Sequence, residues 1–182
     1  MKKVMEYVEK YKPSPEALKI VDDVLKQGDV RCSDPWMYVM VAGFITNGAI
    51  SIETTDIKNP QEDKEITVKG PQEYLKRIAA SLLKEKGFCI EDMEKSFSGG
   101  IVDVIGRKGN EYILVECGPC RISKPIDYLG RENVVLWVLT KKPHGIVLYE
   151  ITRGENWDRF IEFHKEEQFE GLRKSMEDID FS

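Results

Sequence analysis

The chain has 182 residues, 41% of them hydrophobic and 32% charged, which suits one globular domain or one domain with a small appendage. It holds no run of about 18 apolar residues, so a membrane-spanning helix is excluded. The net charge of −5 argues against non-specific coating of nucleic acid but leaves room for a local basic groove. The four cysteines, Cys32, Cys89, Cys117 and Cys120, follow a start without an apolar leader. The expectation is therefore a reducing cytoplasm rather than a disulfide framework. Their spacing does not match a zinc site, because there is only one Cys-x-x-Cys pair.

Ser14-Pro15 opens a helix with the stripe Leu18, Val21, Val24 and Leu25, and Gly28 ends it. Trp36 to Thr46 is nearly all apolar and reads as a buried helix. Ala49–Ile57 and Lys64–Lys69 read as two strands around a polar loop. Residues 1–69 thus form a helical and hairpin extension.

Gly70-Pro71 marks a boundary, and residues 70–182 change character. Pro71–Lys86 has helical spacing with Gly87 as its stop. Phe88–Met93, Ile101–Lys108 and Glu111–Cys117 read as strands. A helix over Pro119–Leu129 is expected next, then strands Val134–Thr140 and Ile146–Thr152. An amphipathic helix from Asn156 to about Met176 should dock on the sheet or on a second copy of the chain, making a homodimer. The pattern predicts an α/β fold with a mixed sheet flanked by helices.

Gly109-Asn110 is a two-residue hairpin signal with glycine first. Pairing Lys108 with Glu111 sets Asp103 directly opposite Glu116. Opposed residues share a face with β-carbons about 5 Å apart, so two carboxylates there repel without a cation. Both interrupt apolar strands, in Ile-Val-Asp-Val-Ile and Tyr-Ile-Leu-Val-Glu. A hard divalent ion is one natural partner. The same pattern arises when a Lys or Arg neutralises one acid, or when one acid faces solvent.

Residues 71–140 resemble the PD-(D/E)XK nuclease superfamily, of restriction-endonuclease-like fold. The likeness lies in the order helix, three strands, helix, strand, with Asp103 in Gly-Gly-Ile-Val-Asp-Val-Ile and Glu116 in Leu-Val-Glu-Cys-Gly. The resemblance implies hydrolysis of phosphodiester bonds in nucleic acid, DNA foremost. It implies Mg²⁺ or Mn²⁺ held by Asp103 and Glu116, with the Val115 or Cys117 carbonyl as a further ligand. Glu73 on the first helix would complete the site through water. The motif's lysine position holds Gly118, and the proline before the aspartate is absent. Lys124, on the following helix, is the replacement the resemblance suggests. Without a working lysine the fold would serve as a catalytically inactive binding or assembly module.

A rival signal is Cys117-Gly-Pro-Cys120, which resembles the thioredoxin motif and implies a dithiol redox protein. Glu116 stands where thioredoxins carry tryptophan, and a carboxylate there opposes thiolate formation. The pair Lys141-Lys142 follows a strand and is a candidate phosphate path.

Overall fold

The structure is a computed structural model. It describes residues 49–58, 72–97, 100–117, 128–142 and 145–159, with Arg31, Cys32, Cys120, Arg121 and the isolated positions Pro15, Lys19 and Ile161. Lys124, the strand expected at 64–69, and the C-terminal helix beyond residue 161 lie outside the described residues. Among those described, no helix is long and apolar enough to cross a membrane.

The strands are β1 (Arg31–Cys32), β2 (Ile50–Ile57), β3 (Cys89–Phe97), β4 (Gly100–Lys108), β5 (Glu111–Cys117), β6 (Cys120–Arg121), β7 (Val134–Lys142) and β8 (Gly145–Arg153). One helix, α1 (Glu73–Glu85), precedes β3. Six strands form a mixed sheet in the order β2-β8-β7-β5-β4-β3. The β5/β7 pair is parallel and every other neighbour is antiparallel. The α/β class with a mixed sheet is therefore observed. β2 precedes Gly70 in the chain, yet it pairs with β8 along all eight of its residues.

Turn chemistry sets the β4–β5 register. Gly109 takes φ +62°, which a glycine-first hairpin turn requires. Lys108 then pairs with Glu111, and the ladder runs in the expected register to Val104↔Val115.

Alternation along the strands divides the core into two faces. Val104, Ile113, Val115, Cys117, Trp137 and Leu139 pack beneath Ile78, Ala79 and Leu83 of α1. Leu114, Leu136, Val138, Tyr149 and Ile151 take the other parity and are buried as well, as are Tyr128, Leu129 and Trp157. Burial on both faces explains why β5 and β7 read as continuous apolar runs.

The helix expected from Pro119 does not include Cys120–Arg121. Pro119 was read as its first turn, but Cys120–Arg121 is extended and pairs antiparallel with Arg31–Cys32. Pairing across the chain satisfies that backbone in place of a helical turn. Tyr128 and Leu129 are helical, and residues 122–127 lie outside the described set.

Candidate functional site

Helix α1 carries an acidic Glu73 in its first turn and a basic Lys84 in its last, the order its dipole favours. Gly87 ends it at φ +82°. Gly87 N–H donates to the Lys84 carbonyl and Phe88 N–H to the Leu83 carbonyl, a double closure that only a left-handed residue permits. The helix is thereby held against the sheet with Lys76, Ala79, Ala80 and Leu83 buried. Those four follow helical spacing, so Lys76 lies on the same stripe as the core residues.

Lys76 is only 3% exposed. Its Nζ lies 3.7 Å from Asp103 Oδ1. Asp103 Oδ2 accepts the Cys117 backbone N–H at 2.6 Å. The β4–β5 ladder stops at Val104↔Val115, and the Asp103 carboxylate bridges the two strands beyond it. Next to Cys117, Glu116 is 3% exposed. Its Oε1 accepts a hydrogen bond from the Tyr128 hydroxyl at 3.1 Å. That hydroxyl also lies 3.4 Å from the Ile101 carbonyl oxygen.

The site therefore gathers Lys76 from α1, Asp103 from β4, Glu116 and Cys117 from β5, and Tyr128 from the crossover to β7. It sits at the carboxyl end of β5, where the connection to its parallel neighbour departs. Ends of this kind are common ligand sites in α/β sheets. Asp103 and Glu116 were expected from the hairpin register. Lys76 and Tyr128 were not.

Cys117 reports the local field. Burial raises its thiol pKa well above the usual value, Asp103 and then Glu116 raise it further, and Lys76 acts in the opposite sense. The thiol is held protonated, which is the reverse of an activated thiolate.

Glu73 sits one turn before Lys76, and its carboxylate is paired with Arg77. Lys141 is exposed at the end of β7, with its Nζ 5.5 Å from the centre of the Tyr74 ring. Leu139 is level with Cys117 in the parallel register, so Lys141 projects beyond the same end of the sheet.

Asp103 and Glu116 offer the oxygen donors a hard divalent cation takes, Asp103 lying against Lys76 and Glu116 against Tyr128. Among the described residues, no group of three or more His, Cys, Asp and Glu converges. A metal here would rest on two protein carboxylates and water, which Mg²⁺ accepts.

No protein-family model, curated protein or solved structure matches this chain.

Proposed function

We propose that this chain is a divalent-metal-dependent nuclease of restriction-endonuclease-like fold, hydrolysing phosphodiester bonds in nucleic acid, with DNA the leading substrate. One observation carries the reading: Lys76 brings a buried ammonium to Asp103 in a chain with Gly118 at the motif's lysine position. The element order supports it, since α1 precedes three antiparallel strands and a crossover to the parallel β7.

Asp103 and Glu116 hold the metal. Bound there, Mg²⁺ or Mn²⁺ supplies Lewis acidity and a water of lowered pKa. Lys76 holds the Asp103 carboxylate in place and sets a positive charge where an anionic substrate must approach. Tyr128 fixes the Glu116 carboxylate through its hydroxyl. Lys141 meets the substrate backbone at the sheet end and offsets the overall negative charge locally.

A second reading has an observation of its own. Both Asp103 oxygens already have partners, in Lys76 and the Cys117 N–H. An ion pair of this kind also suits a nuclease fold that only binds nucleic acid.

A cleavage assay separates the two. Plasmid, single-stranded DNA, branched DNA and RNA are incubated with Mg²⁺ or Mn²⁺. Cleavage that a chelator, Asp103→Asn and Glu116→Gln all abolish establishes the nuclease. Binding without cleavage at any metal concentration establishes the inactive module.

A further inference from the structure

The two-residue ladder β1–β6 opposes Cys32 and Cys120 directly, with Arg31 opposite Arg121. Directly opposed residues in an antiparallel pair keep their α-carbons about 4.5 or 5.5 Å apart, depending on the pair type. A disulfide spans α-carbons about 4.4–6.8 Å apart, so either type suits one without backbone movement. The ladder is two residues long, and its other pair sets Arg31 opposite Arg121.

The Cys-x-x-Cys spacing points instead to Cys117 as the partner of Cys120. Cys117 is fully buried and lies beneath α1 in the core. Cys120 is in a strand, not at the helix start that such a motif requires.

We propose that Cys32 and Cys120 form a reversible disulfide in exchange with a small-molecule disulfide. The thiolate of one cysteine attacks the oxidant's S–S bond, forming a mixed disulfide and expelling one thiolate. The thiolate of the other cysteine attacks the protein-bound sulfur and expels the second. The protein loses two electrons and its two thiol protons, and the two expelled thiolates take up two protons to leave as thiols. The bond closes a long loop and ties the N-terminal segment to the crossover that leaves Glu116. Loops of such length gain most from closure in the chain-entropy account. The proposal does not depend on the nuclease reading.

The test uses the full chain in an oxidised/reduced glutathione series, with thiol counting and non-reducing tryptic mapping. Reactive thiols, counted after denaturation, should fall from four to two. Peptides 32–58 and 109–121 should be linked. The second peptide contains both Cys117 and Cys120, so variants decide between them. The link should survive Cys117→Ala and vanish in Cys120→Ser and in Cys32→Ser. A link that survives Cys120→Ser but not Cys117→Ala overturns the proposal. So does a disulfide confined to peptide 109–121, or retention of all four thiols under oxidising buffer.

Discussion

Lys76 Nζ stands 3.7 Å from Asp103 Oδ1, with the lysine side chain 4% and the aspartate side chain 18% exposed. Removing one member of a buried pair leaves a charge without its partner, at a cost of about 3–5 kcal/mol. The partial exposure of Asp103 reduces that cost through solvent screening. Lys76→Met should therefore lower unfolding stability by about 2–3 kcal/mol. Asp103→Asn keeps an oxygen for the Cys117 N–H but loses the charge. In urea denaturation, the double variant should be less destabilised than the sum of the singles by about 1 kcal/mol or more. Strict additivity would show that the two side chains do not interact.

Gly106 is required by packing. A β-carbon there would come within 2.8 Å of Leu83 Cδ2, and Leu83 is fully buried under α1. Gly106→Ala should cost about 1–3 kcal/mol through overpacking. Leu83→Ala alone should cost about 2–5 kcal/mol through its cavity. Combined, the added methyl enters the vacated space, and the pair should be less destabilised than the sum. A Gly106→Ala variant of unchanged thermal midpoint would contradict this contact.

The contrast between what was readable and what was not has a local cause. Gly109-Asn110 fixed the β4–β5 register because a two-residue turn leaves one closing pair, Lys108↔Glu111. The pair Asp103↔Glu116 that this register would continue to is not part of the ladder, and the Asp103 carboxylate accepts the Cys117 N–H instead. The inward setting of Lys76 depends on how α1 sits on the sheet, which periodicity alone does not determine. The stripe built on Tyr74, Leu75, Ile78, Leu82 and Leu83 located the helix but left Lys76 outside its apolar set. β6 was missed for a different reason. Two residues carry no alternation, and their partners, Arg31 and Cys32, are distant in sequence. Proline at Pro119 then favoured a helix start that the long-range pairing overrides.

The buried thiol gives stability a pH dependence. The folded-state pKa of Cys117 is raised, so the folded protein keeps its proton when the unfolded chain loses it. The contribution is fully present below the unfolded value of about 8.5. It is lost as pH climbs from there towards the raised folded value, because the unfolded state then binds fewer protons. Denaturant midpoints measured from neutral pH into the alkaline range should fall. Cys117→Ala should fall less steeply over that range. Parallel curves for the two proteins would show that Cys117 ionises in the folded state much as it does in the unfolded chain.

The proposed nuclease requires a divalent ion held by Asp103 and Glu116 together. Calorimetric titration of the full chain with Mn²⁺ tests it most directly, with circular dichroism confirming that each variant is folded. The account predicts one bound ion per chain, lost in Asp103→Asn and in Glu116→Gln. The control Glu53→Gln, on the exposed side of β2, should retain it. No uptake by the unaltered protein at millimolar Mn²⁺ would contradict the account, as would uptake that all three variants preserve.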